Sequence, residues 1–210
     1  MESRWAAEHL EVIRTLMERA AVYRRALAPT TLLTGSLGTA AAIVGWAAGF
    51  ESPRAFSLYW MIVGLLAVVG ALVVMRRQAL KDLEPFWSLP ARRVAQAMSP
   101  PLMIGLVAGL LTILLSSQGL RVWWLPPAWM VLYGCALHAA GFFMPRGIRL
   151  FGWGFVLIGS VLLIVLSQQS DEAGLPSLRN AHALMGATFG GLHLAYGVYL
   201  RLTEPRKRAA

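Results

Sequence analysis

The sequence has a single cysteine, Cys135, so it can form no intrachain disulfide and no cysteine-rich metal site. It is also poor in charge. Only 14% of its 210 residues are Asp, Glu, Lys or Arg, and 57% are hydrophobic. Soluble domains carry about 25% charged residues, so lipid is the solvent that suits the excess apolar area. The phosphate loop Gly-x-x-x-x-Gly-Lys-Ser/Thr, the zinc-protease pattern His-Glu-x-x-His and the nucleophile elbow Gly-x-Ser-x-Gly are missing too. No nucleophile–base pair is visible, and no soluble stretch is large enough for nucleotide chemistry, so no enzymatic activity is expected. Acidic residues are few, 10 against 19 basic, for a net charge of +9. A basic balance can serve nucleic acid. Here the placement of the basic residues points instead to the anionic face of a membrane and to no nucleic-acid partner. The first apolar run begins near Thr30, behind a long charged stretch, so no cleavable leader is expected.

What is present is a set of apolar runs long enough to cross the bilayer core, about 20 residues each. Six spans are expected, at 30–50, 56–75, 101–117, 126–144, 148–167 and 181–201. Prolines at 29, 100–101 and 126–127 read as span starts, where a missing N–H is harmless. Before the first span, residues 1–28 read as an amphipathic cytoplasmic helix: Arg4, Glu8, Glu11 and Glu18 share one face, and Trp5, Val12, Leu16 and Tyr23 the other. The largest loop, 76–98, is basic and carries Phe86 and Trp87. Its arginines suit anionic headgroups, with the two rings in the interface. Residues 203–210 form a basic tail. The fold class is therefore an all-α integral membrane bundle of six transmembrane helices, organised as 1–28, 29–202 and 203–210.

Orientation follows from Lys and Arg. Sixteen of the nineteen fall on one side: five in residues 1–28, five in 76–98, Arg146 and Arg149, and four from Arg201 onward. Only Arg54, Arg121 and Arg179 fall on the other. Basic residues accumulate inside, so both termini are expected in the cytoplasm and the chain in the cytoplasmic membrane.

Small residues mark the seams where helices approach closely in lipid. Gly38, Ala42, Gly45 and Gly49 do so in the first span, Gly105 and Gly109 in the third, and Gly186 and Gly190 in the sixth. No charged residue lies in the middle of any span, which argues against an ion-coupled pump. The polar residues that remain are His138, His182, His193 and Tyr196. On a regular helix His182 and His193 lie within about 20° of each other, with His182 wet at the outer rim. His138 and His193 come out at similar depth. Three roles are open to that pair. Each imidazole could bond a neighbouring helix. The two could ligate a haem or metal, with Cys135 as a further soft ligand. Or they could sense protons or substrate.

The fourth and sixth spans are alike: Tyr133-Gly-Cys-Ala-Leu-His138 beside Phe189-Gly-Gly-Leu-His193, as in a repeat. The strings PPAWMVLYG, GFFMPRGIRLFGWGF and MGATFGGLHLAYGVYLRLTEP, with EPFW before the third span, resemble a group of small bacterial integral membrane proteins of unknown function. The resemblance covers most of the chain. It implies a six-span topology and carries over no activity, cofactor or site residue. A sensor, regulator or assembly partner is the expected role, with protein contact through 1–28 and 76–98. The alternatives are a small-solute carrier or permease subunit, and a haem-binding redox protein.

Overall fold

The structure, a computed structural model, describes residues 26–83, 85–115, 122–168 and 177–203. The amphipathic stretch 1–25 and the tail from 204 lie outside the described residues. Helix α1 spans Ala26–Ala48. It is followed by α2 (Pro53–Lys81), α3 (Leu89–Leu114), a 3-10 turn (Val122–Trp124), α4 (Leu125–Ala140) and α5 (Arg146–Ser167). The last stretch is continuous but changes character: α6 (Leu178–Met185), a π-helical segment (Gly186–Leu192) and α7 (His193–Thr203). No strand occurs among the described residues. Four helices, α1, α2, α3 and α5, are long and apolar enough to cross a membrane. The described residues are thus all-α, with the apolar helices of a membrane protein.

Three boundaries differ from the sequence expectation. Helix α1 runs through Pro29, and the Thr31 hydroxyl reinforces the helix there by donating to the Leu27 and Ala28 carbonyls. Pro100 and Pro101 do not open α3 but lie inside it; Pro90, in the first turn, takes the starting role. An interior proline costs about 3 kcal/mol, largely through a lost hydrogen bond. Pro100 cannot bond the Gln96 carbonyl, and the Ser99 hydroxyl donates to that carbonyl at 3.0 Å in its place. The basic loop expected at 76–98 is consequently mostly helix, and the true connection is 82–88. Finally, α4 stops at Ala140 and residues 141–144 turn, because α5 must begin at Arg146.

The final rod, 178–203, is the centre of the packing. On one side it meets α1 in an antiparallel seam of small residues. A side chain at Gly38 would meet the Gly190 backbone at 3.1 Å, and one at Gly35 the Leu194 nitrogen at 2.6 Å. Gly186 lies against Ala42, Gly45 against His182, and Gly197 against Thr31 and Leu32. Helix α2 closes on α1 from outside, with the Tyr59 hydroxyl donating to the Ala41 carbonyl at 2.6 Å. Helix α3 fills the gap between α2 and α4: Gly109 lies under Met61 and Trp129, and the Trp129 indole donates to the Gly105 carbonyl at 2.8 Å.

Helices α4 and α5 form a second glycine seam, one not anticipated from the sequence. A side chain at Gly134 would meet the Gly152 carbonyl at 2.6 Å, and one at Gly159 the Pro127 carbonyl at 2.8 Å. Gly134 and Gly141 are seven apart, as are Gly152 and Gly159; that heptad spacing was the available signal. Only 11% of the most apolar stretch of α2 and of α3 is buried, so these two helices are peripheral.

The seam predicts a sharp contrast. Gly190→Ala puts a methyl 2.5 Å from the Thr39 hydroxyl and 2.8 Å from its backbone nitrogen, which should destabilise the protein by about 1–3 kcal/mol. Gly64→Ala in α2 meets nothing within 4 Å and should leave the melting temperature unchanged or higher. Thermal unfolding in detergent or lipid nanodiscs checks both. Equal melting temperatures for the two variants would contradict the seam.

Candidate functional site

The two buried histidines lie in separate places. The first is His182. It is 0% exposed, which corrects the expectation of a wet residue at the rim. Trp60 donates its indole N–H to Nδ1 at 3.0 Å. An indole can only donate, so Nδ1 accepts, and Nε2–H donates to the Phe50 carbonyl at 3.2 Å. Both ring nitrogens are satisfied, and Phe56 and Tyr59 contact the ring.

Gly49 supports this arrangement in a way that differs from the packing role expected of it. It has φ +66° and no neighbour within 4 Å. Its N–H bonds the Trp46 carbonyl and the Phe50 N–H bonds the Gly45 carbonyl, the pairing of a Schellman stop. The turn ends α1 and presents the Phe50 carbonyl to His182.

The inner site is His193, 2% exposed. Its Nε2 lies 2.7 Å from the Tyr133 hydroxyl of α4. Phe151 and Phe155 of α5 pack on the imidazole with centroids at 5.1 and 5.5 Å. Phe189 closes the group against Tyr133 and Phe155. Tyr196 stacks on Phe151 at 4.5 Å, and its hydroxyl occupies the space over Gly147. Nδ1 of His193 has no hydrogen-bond partner among the described residues. If Tyr133 donates to Nε2, then Nδ1 carries an unpaired proton. If Tyr133 accepts, Nδ1 is a bare acceptor. Either arrangement leaves one buried polar atom unsatisfied, at a cost of about 1–3 kcal/mol.

The π-helical segment explains why the two histidines part company. The contacts with α1 run through His182, Gly186, Gly190, Leu194 and Gly197. His182 is on this seam and His193 is one residue off it. In a π turn each residue advances by less than the 100° of an α-helix, so seven such residues rotate α7 relative to α6. His193 is thereby carried off the α1 face and onto α4 and α5.

His138 does not join His193. It is half-buried on α4, with Phe142 and Trp153 edge-on at 5.4 Å each. Trp153 projects about 160° away around α5 from Phe151 and Phe155, the rings that touch His193. The two imidazoles are thus not brought together, because α5 presents opposite sides to them. Cys135 is exposed. No group of three His, Cys, Asp or Glu residues with metal-binding geometry occurs among the described residues. Phe151 and Phe155, which help build the inner site, were not singled out by the sequence; Tyr133 and Phe189 were marked only by the aromatic-Gly pattern shared by the fourth and sixth spans.

Tyr133→Phe removes the hydroxyl that meets His193 Nε2 and should lower stability by about 1–3 kcal/mol. Adding His193→Phe to it removes the buried polar atoms and keeps a ring in the cage, so the double variant should recover most of that loss. Thermal unfolding of the two variants tests this; a double variant no more stable than Tyr133→Phe alone would contradict it. No protein-family model matches the chain, and neither the curated proteins nor the solved structures contain one that is significantly similar to it.

Proposed function

We propose that the chain is a six-span protein of the cytoplasmic membrane, with both termini inside, acting by contact with other proteins as a sensor, regulator or assembly partner rather than as an enzyme. Two further crossings are added to the four long apolar helices. Helix α4 has 16 residues, about 24 Å, and is extended outward by the 3-10 turn before it. The rod 178–203 is longer than the bilayer core is thick and antiparallel to α1 throughout. The excess of Lys and Arg at one end of the bundle sets the orientation.

The observation that carries the role is the filled interior. Three rings, Tyr133, Phe151 and Phe155, pack on His193, Phe189 and Tyr196 pack on those rings in turn, and glycine seams bring backbones into contact on both flanks. Such an interior suits a rigid membrane scaffold better than a solute path. The contact surface is the connection between α2 and α3, with Leu83 and Trp87 exposed between basic helix ends, together with residues 1–28.

Membranes solubilised gently should therefore yield the chain in an assembly larger than itself on native gels. Leu83→Ser with Trp87→Ala should release it from that assembly. Migration as a single chain, together with solute flux in liposomes, would replace this reading with a carrier. Reporter fusions after Asp82 and after Gly174 should report opposite compartments.

A further inference from the structure

The turn between α4 and α5 carries an arrangement that neither histidine site uses. Arg146 and Arg149 stand in the first turn of α5, with no acidic residue there and no side-chain cap from Pro145. Cations are unfavourable at a helix N-terminus, where the backbone N–H groups already give a positive end. Two arginines in that position call for an anion. The only carboxylates among the described residues are Glu51 and Asp82, and neither forms an ion pair with these arginines.

Arg149 is also pre-positioned. Its stem crosses Gly141, where no side chain would fit, and its guanidinium lies 5.3 Å over the exposed Phe142 ring. Holding the side chain in this way reduces the entropy lost when it binds.

Below the arginines the same face of α5 is apolar and open. Arg146, Leu150, Trp153 and Leu157 fall within an arc of about 60°, and the three hydrophobic residues are exposed. Gly154 borders the arc. A side chain there would meet nothing within 4 Å, so the glycine leaves a notch beside Leu157. His138 lies behind this surface, wedged between Phe142 and Trp153.

We propose that this face binds an anionic phospholipid, with Arg146 and Arg149 on its phosphate and an acyl chain running past Trp153 into the notch at Gly154. A soluble anion would match the arginines alone; the apolar track continuous with them favours the lipid. Basic residues at the cytoplasmic ends of spans are established headgroup binders in general. The proposal rests on the membrane reading above and makes it specific to one site.

The test uses the full-length protein in detergent, exposed to phosphatidylglycerol or phosphatidylcholine in mixed micelles and examined by native mass spectrometry. The wild-type chain should retain phosphatidylglycerol in preference to phosphatidylcholine. Arg146→Gln, at an exposed position, should lower that retention about fivefold, and adding Arg149→Gln should lower it further. Gly154→Leu should lower it with an unchanged melting temperature. Arg54→Gln, at the opposite end of the bundle in the first turn of α2, should not.

Equal retention of both lipids, or full retention by the double arginine variant, would overturn the proposal. So would loss of bound phosphatidylglycerol on adding inorganic phosphate, which would show a simple anion site. Detergent removes sidedness, so these outcomes are independent of the reporter fusions that test orientation.

Discussion

The close approach of α1 to the final rod is the constraint that governs the other contacts. In lipid, two apolar helices gain nothing by hiding from the solvent, because the solvent is as apolar as they are. Association must come from dispersion contacts at short range, and these need backbones without intervening side chains. Gly35, Gly38 and Gly45 on one helix, and Gly186, Gly190 and Gly197 on the other, supply that condition along the whole length. The first and last described helices are thereby joined, with α2 packed on the outside of α1 and α4 and α5 against the other side of the rod.

The seam also decides where the polar residues go. His182 fills the space that a side chain at Gly45 would take, and so meets the Phe50 carbonyl at the end of the same helix. Its two bonds arise from elements 132 and 122 residues away in sequence. His193 would belong to the same face on a regular helix. The π-helical segment moves it to the α4–α5 side, where Tyr133 is its partner. One segment thus separates a fully satisfied histidine from one with an unpaired nitrogen. π-helical turns occur often at functional sites, and here the turn immediately precedes the only fully buried histidine with an unsatisfied atom among the described residues.

The parts of this fold that were legible in the sequence are those written in one-dimensional spacing. Apolar runs marked the long helices, and three- and four-residue glycine spacing lies in the stretches where α1 meets the final rod. What the spacing could not show was phase. Placing His182 and His193 within about 20° assumed 3.6 residues per turn throughout, and seven residues of π-helix broke that assumption. Proline was misleading for a related reason. Its missing N–H argues for a helix start at 100–101, but the Ser99 hydroxyl bonds the Gln96 carbonyl freed by Pro100, a compensation visible only in three dimensions. Gly49 shows a third kind of ambiguity: its spacing continues the seam, yet its positive φ makes it the stop of α1.

The aromatic cage around His193 was hidden because its members come from three segments, and the pattern shared by Tyr133 and Phe189 does not reach Phe151 and Phe155. Phe151 and Phe155 lie one turn apart on α5, Tyr133 is alone on α4, and Phe189 belongs to the π-helical segment. Each reads in isolation as an ordinary apolar ring. Only the glycine contact of Gly134 with Gly152 brings α4 and α5 close enough for Tyr133 and Phe155 to meet at 5.2 Å. The same contact turns Trp153 outward, beside His138 and below the arginines of the α5 first turn. One pair of glycines thus sets both faces of α5: an inner one closed with rings around a histidine, and an outer one left open toward lipid with positive charge at its head.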